Sequence, residues 1–260
     1  MDQVLTGARV MTDEGLKDGL AVRLRGERIL AVGPAEEIAE GASVRDLGGG
    51  LLLAGFIDIQ VNGGGGLLFN DAPTVESIAR IGQAHRRFGA TGFLPTLISD
   101  DLDTVSAGIG AVRHAIEQGV PGVLGLHIEG PFLNPRRKGI HDASKLRRID
   151  EAAFELLTSL GRGRTLVTLA PETTSPEMIE RLHRAGVIVS AGHTNASYDA
   201  VRAALGRRHR RRSRGSGPGC RSRRSERWRR RANLRSACAS PRPRSAAGTS
   251  GSRCASPGRR

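Results

Sequence analysis

The sequence predicts an α/β fold: an incomplete TIM, or (β/α)8, barrel of about five units, with a small N-terminal β portion and a disordered Arg-rich tail. Three observations predict it. Between residues 51 and 205, short apolar runs alternate with amphipathic segments of helical period, the pattern of a parallel sheet covered by helices. Before residue 51 the period is two and glycine turns are frequent. After Leu205 both periods stop: residues 206–260 hold 19 Arg, one acid (Glu226), one Leu and no Ile, Val, Phe, Tyr or Met.

The N-terminal β portion, residues 1–50, alternates over Val4 to Val10. It then forms a hairpin from Gly19–Gly26 and Arg28–Gly33, with the turn at Gly26-Glu27. The barrel portion, residues 51–205, follows Gly48-Gly-Gly50. Its strands are expected at Gly55–Val61, Gly92–Leu97, Val123–Ile128, Thr165–Ala170 and Val187–Ala191. Helices are expected at Thr74–Phe88, Leu102–Glu117, Glu151–Leu160, Pro176–Ala185 and Ser197–Leu205. Ser175-Pro176-Glu177 is a helix start, with proline in the first turn and an early acid. A doubly wound open sheet is the competing closure, but no G-x-G-x-x-G follows the first strand.

The 260 residues carry a formal charge of +14, which taken whole suggests a partner for nucleic acid. That charge is local. Residues 1–205 carry 21 basic and 25 acidic side chains, so the body is mildly acidic. All three cysteines and Trp228 lie beyond residue 205, which excludes a disulfide scaffold or cysteine metal site from the body. No run of 18 apolar residues exists, and Met1-Asp2-Gln3 opens no signal-peptide core. The expectation is a cytoplasmic protein with no membrane partner.

In parallel α/β folds, chemistry collects where strands end. The first strand ends Asp58-Ile-Gln60-Val-Asn62, followed by Gly63–Gly66. The third ends His127-Ile-Glu129, the fourth Ala170-Pro171-Glu172, and the fifth Ser190-Ala-Gly-His193-Thr-Asn195. Period-two geometry puts His127 and Glu129 on one face, and Asp58, Gln60 and Asn62 on another such face. Glu129 and His193 are therefore candidate ligands for one divalent metal ion, which needs a third protein ligand as well. By residue type alone each also reads as a hydrogen-bonded loop anchor. The four glycines read as a permissive turn more readily than as a phosphate cradle.

Five motifs occur together and in order: Ala54-Gly-Phe-Ile-Asp-Ile-Gln-Val-Asn-Gly63, Leu94-Pro-Thr-Leu97, Gly125-Leu-His-Ile-Glu-Gly-Pro-Phe132, Thr168-Leu-Ala-Pro-Glu172 and Ser190-Ala-Gly-His-Thr-Asn-Ala196. Over about residues 1–205 the chain resembles the N-acetylglucosamine-6-phosphate deacetylase family of the amidohydrolase superfamily. The resemblance implies a TIM barrel with a small β-sandwich, and one divalent metal ion, zinc or iron, on Glu129, His193 and a second histidine. It implies sugar-phosphate contacts by the main chain of Ile140 and by His141. Many amidohydrolases carry His-x-His on the first strand; Gln60-Val61-Asn62 stands here instead and points to a single-metal site. His127 is read either as a group orienting Glu129 or as a structural residue. The implied reaction is hydrolysis of N-acetylglucosamine 6-phosphate to glucosamine 6-phosphate and acetate, in a dimer or tetramer.

The family's second metal histidine belongs to a T-H-L-[FY]-N-A-M-like strand and its catalytic aspartate to a V-[ST]-D-A-like strand end; neither motif occurs here. His209, Asp199 and Glu226 do not match their contexts. A reading-frame shift near codon 206 is the expected origin of the tail, and an inactive chain the expected result. The alternative function is a non-enzymatic protein whose basic tail binds nucleic acid. Translating the coding DNA in the other two frames separates them.

Overall fold

The computed structural model describes residues 1–206, which all fall in one compact unit, Met1–Arg210. The expected disordered tail lies outside the described residues, apart from Gly206. So do the nucleic-acid reading, the three cysteines and Trp228.

The N-terminal portion is built from β1 (Asp2–Thr6), β2 (Arg9–Thr12), β3 (Gly15–Lys17), β4 (Leu20–Arg25), β5 (Arg28–Pro34), the short helix α1 (Ala35–Ile38), β6 (Ser43–Asp46) and β7 (Leu51–Leu52). The strands make a four-stranded sheet of order β5-β4-β1-β6 and a three-stranded sheet of order β3-β2-β7. The predicted hairpin is β4 and β5, antiparallel from Leu20↔Pro34 to Arg25↔Arg28. The single alternating run expected over Val4–Val10 is two strands in different sheets, separated by a turn at Gly7. Asp2 fastens β1 to β4. Its Oδ1 accepts from Arg25 Nε at 2.6 Å and its Oδ2 from Arg23 Nε at 2.8 Å. These two guanidinium groups, Arg25 first, hold the Asp2 carboxyl well below the usual carboxylate range, against the effect of desolvation.

The second portion follows as β8 (Phe56–Val61), β9 (Gly63–Gly64), β10 (Leu67–Leu68), α2 (Val75–Arg86), β11 (Ala90–Leu97), α3 (Leu102–Glu117), β12 (Gly125–Glu129), α4 (Glu151–Thr158), β13 (Arg164–Leu169), α5 (Pro176–Arg184), β14 (Ile188–Ala191) and α6 (Tyr198–Gly206). Five parallel strands form one sheet in sequential order, β14-β13-β12-β11-β8. This curled half-barrel is the predicted incomplete TIM barrel, and its strands and helices lie within two or three residues of the expected ones.

Local chemistry explains the elements. In α3, Val105, Ile109, Val112 and Ala115 recur at helical spacing and are buried against the sheet. Thr74 caps α2 by accepting from Ser77 N at 3.2 Å, and Ser175 caps α5 by accepting from Met178 N at 3.2 Å. Pro95 lies inside β11 opposite Val61, where it has no N–H to offer. The neighbouring Thr96 hydroxyl accepts from Val61 N at 2.9 Å and donates to Leu94 O at 3.0 Å, which satisfies the irregular ladder there. Between sheet and helices lies one core that includes Leu97, Leu126, Ile128, Val167 and Leu169. Among the described residues no helix is long and apolar enough to cross a membrane.

Candidate metal centre

Parallel strands deliver their C-terminal ends to one rim, and the candidate residues stand there. Glu129 is the last residue of β12, His193 lies two residues beyond β14, and Gln60 is near the end of β8. His141 lies beyond the 3-10 turn Pro135–Arg137 and is buried, at 2% exposure. Glu129, His141 and His193 each offer one ligand atom, and these atoms lie within 4.8 Å of one another.

The carboxylate of Glu129 is held on both oxygens. Oε2 accepts from Gln60 Nε2 at 2.7 Å, and Oε1 faces His193 Nε2 at 3.0 Å. The other ring nitrogen of His193, Nδ1, is 2.9 Å from Arg137 O. A carbonyl only accepts, so Nδ1 is the donor, which leaves Nε2 as the ring atom aimed at Glu129. A ring nitrogen and a carboxylate oxygen thus converge on one point, a pair that holds either a proton or a cation between them. Glu129 and His193 fit two of the protein positions around a divalent metal ion, one hard oxygen and one imidazole nitrogen.

His141 is a different case. Its Nδ1 lies 3.2 Å from Ser99 N and 2.8 Å from Ser99 Oγ. A backbone N–H only donates, so Nδ1 is the acceptor and the ring proton sits on Nε2. Burial first, then the neighbouring His193 and Lys138, push the His141 pKa down against the pull of Glu129, which favours this neutral tautomer. The ring therefore presents an N–H to the site. It meets the His193 ring edge-on, with centroids 4.7 Å apart. Ser99 reaches it because Gly130, at φ +85°, has no side chain: a Cβ there would lie 2.2 Å from Ser99 Oγ.

His127 lies one layer below Glu129 on the same strand face and is buried. Its Nε2 pairs with Thr168 Oγ1 at 2.8 Å rather than with Glu129. Burial lowers its pKa, with partial opposition from the Glu129 charge and the Ile59 carbonyl. Ile140 is 87% exposed beside His141. Asn62 Nδ2, at the end of β8, is one of two buried side-chain polar atoms without a partner among the described residues. In the Gly63–Gly66 run, Gly63 and Gly64 form β9, and Gly65 and Gly66, both at positive φ as a tight two-residue loop requires, turn the chain into β10.

Sequence reasoning listed Glu172 and Asn195 as strand-end polar groups but gave them no role. It named Thr168 only as part of a motif, and it did not name Ser99, Asn134 or Arg137. Glu172 is joined to the His193 loop: its carboxylate accepts from Thr194 Oγ1, from Asn195 N at 2.6 Å and from Asn134 Nδ2 at 2.7 Å. Partial burial works against its charge, but these hydrogen bonds outweigh it and keep the pKa below the usual range. Only the adjacency of the Ala-Pro-Glu and Gly-His-Thr-Asn motifs at neighbouring strand ends could have signalled this.

The chain is 42% identical over 205 residues to the N-acetylgalactosamine-6-phosphate deacetylase of Shewanella sp. (strain ANA-3), covering 78% of this chain and 52% of that protein. It is 35% identical over 205 residues to the N-acetylglucosamine-6-phosphate deacetylase of Haemophilus influenzae, covering 79% of this chain and 54% of that one. The crystal structure of N-acetylglucosamine-6-phosphate deacetylase from Pasteurella multocida superimposes with a TM-score of 0.75 at 32% identity. It covers 79% of this chain and 54% of that structure. The chain thus spans about half the length of the curated relatives it matches. The amidohydrolase family profile matches residues 51–222, which include every strand of the parallel sheet and the whole cluster at its rim, and the chain belongs to the amidohydrolase family.

Proposed function

We propose that residues 51–205 are the metal- and sugar-phosphate-binding part of an N-acetylated amino-sugar 6-phosphate deacetylase, preceded by a small β domain in residues 1–50. The observation that carries this reading is the convergence of Glu129 Oε1 and His193 Nε2 at 3.0 Å, with the Nδ1–H of His193 committed to Arg137 O. The names of the relatives supply the substrate class. Glu129 and His193 would hold one divalent cation, zinc or iron by donor type. When bound, such a cation supplies Lewis-acid polarisation of an amide carbonyl and acidification of water.

The chain's own residues do the rest. Gln60 Nε2 holds Oε2 of Glu129 and so directs Oε1 toward His193. His141 donates its Nε2–H to an oxygen of the bound sugar, and the main chain of Ile140 contacts the same ligand. Asn62 Nδ2 has no hydrogen-bond partner among the described residues and stands at the same rim, where a ligand oxygen can satisfy it. His127, engaged with Thr168, supports the floor of the site. Among the described residues Glu129 is the one carboxylate in the cluster, so we expect ligand binding without turnover in this chain. A dimer or tetramer and a cytoplasmic location accompany the reading for the full-length family member.

The test is calorimetric titration with Zn2+ and then with N-acetylglucosamine 6-phosphate. Wild type should bind one metal ion per chain, and Glu129→Gln should bind none. Stoichiometric metal on the Gln variant would remove Glu129 from the ligand set. Metal-dependent acetate release by the 260-residue chain would overturn the expectation of binding without turnover.

A further inference from the structure

We propose that Glu172 is a positioning residue for His193: it fastens the loop after β14 in the backbone conformation that turns the imidazole toward Glu129. This rests on the metal-centre reading above and deepens it.

His193 is the one non-glycine residue with positive φ among the described residues, at φ +48°. That left-handed conformation is uncommon for a residue with a Cβ and persists only where surrounding contacts impose it. The residues after Ala191 belong to no strand or helix until Tyr198, so no ladder or helix turn imposes it. The constraint comes from side chains. Glu172 accepts from Thr194 Oγ1 and Asn195 N, the two residues that follow His193, and from Asn134 Nδ2 of the loop after β12. Asn134 N in turn donates to His193 O at 3.1 Å. Arg137 accepts His193 Nδ1–H on its carbonyl, while its guanidinium Nε and Nη2 donate to Asn195 Oδ1 at 3.1 and 2.9 Å. One carboxylate thereby ties together the loops after β12, β13 and β14.

Glu172 suits this role. A carboxylate has two acceptor oxygens and no donor, so it can take all three hydrogen bonds at once, each assisted by charge. It sits on the 3-10 turn Pro171–Thr173, which is itself fixed by Thr173 Oγ1 donating to Ala170 O at 2.9 Å. Its three donors come from loop residues, and neither Glu129 nor His193 is among them. Its influence on a cation is therefore exerted through the His193 backbone. Loss of the carboxylate frees Thr194 and Asn195, lets His193 relax toward extended φ, and swings Nε2 away from Glu129.

The test uses the 260-residue chain at low micromolar concentration, with Co2+ as the probe, read by its visible absorbance. Glu172→Ala should weaken Co2+ binding about tenfold or more, the scale on which partners of metal ligands act. Glu172→Gln keeps an acceptor oxygen and should restore affinity to within about threefold of wild type. In the metal-free chain, Glu172→Ala should also speed hydrogen exchange at the Asn134 amide, which bonds His193 O and not Glu172. Unchanged Co2+ affinity in Glu172→Ala, or unchanged exchange at Asn134, overturns the proposal, as does a Gln variant as weak as Ala. If Glu172→Ala does not fold, Thr194→Val, which removes only the hydroxyl bond, must show the same losses in smaller measure. If wild type binds no Co2+, the metal-centre reading falls, and exchange at Asn134 alone decides whether Glu172 sets this loop.

Discussion

His127 and His141 are buried imidazoles whose pKa values lie below the ordinary histidine range, chiefly because burial disfavours the charged form. In the unfolded chain both titrate near about 6.5. Above that value both states are neutral at these positions and stability is at its full level. As pH falls below it, the unfolded state takes up protons first, and stability declines until the folded values are passed. The melting temperature should therefore drop between pH 7.5 and 5. His127→Gln, which can still reach Thr168, should flatten part of that slope. A melting temperature independent of pH over this range would contradict the assignment. At this scale the sequence was legible where spacing is local. Glu129 and His193 follow from strand-end placement and motif. The tautomer of His141 does not, because it is set by Ser99, 42 residues away in the chain, through a contact that only tertiary packing creates. Sequence leaves two readings of His127 open, and its partner Thr168, 41 residues away, is likewise a contact that local spacing does not reveal.

Elements were legible in proportion to how strongly burial patterns them. β11, β12 and β13 carry mostly buried residues, and α3 has an apolar stripe at helical spacing, so each announces itself. β6 could not be seen. All four of its residues, Ser43–Asp46, are exposed, so no alternation exists to read, and it is a strand only through parallel pairing with β1. Two substitutions probe the elements by different physics. Thr74→Ala removes the α2 cap and should cost about 1 kcal/mol in denaturant unfolding. Ile128→Ala empties a fully buried position in the centre of the sheet and should cost about 2–5 kcal/mol. Equal effects of the two would mean that Ile128 does not occupy a packed core position.

For the molecule as a whole, the count of five parallel strands was readable from the alternation of apolar and amphipathic segments, and so was their incompleteness as a barrel. What the alternation did not convey is how much apolar surface the edge strand leaves in water. Among the described residues β8 pairs only with β11, and Phe56, Ile57 and Ile59 are 59%, 64% and 55% exposed. An apolar edge strand of this kind pairs readily with other chains. The chain should bind hydrophobic dyes strongly and self-associate with rising concentration. Ile57→Lys combined with Ile59→Lys should raise the soluble fraction; an unchanged fraction would place the sticky surface elsewhere. The sequential order of the sheet also has a consequence for timing. Each strand pairs with the next one in the chain, so the sheet can grow in the order of synthesis. Gln60, Glu129 and His193, on or just beyond β8, β12 and β14, therefore meet only once the fifth strand is in place. On the proposed metal-centre reading, cation uptake then depends on all five strands having folded, and a bound cation would stabilise that fold in return.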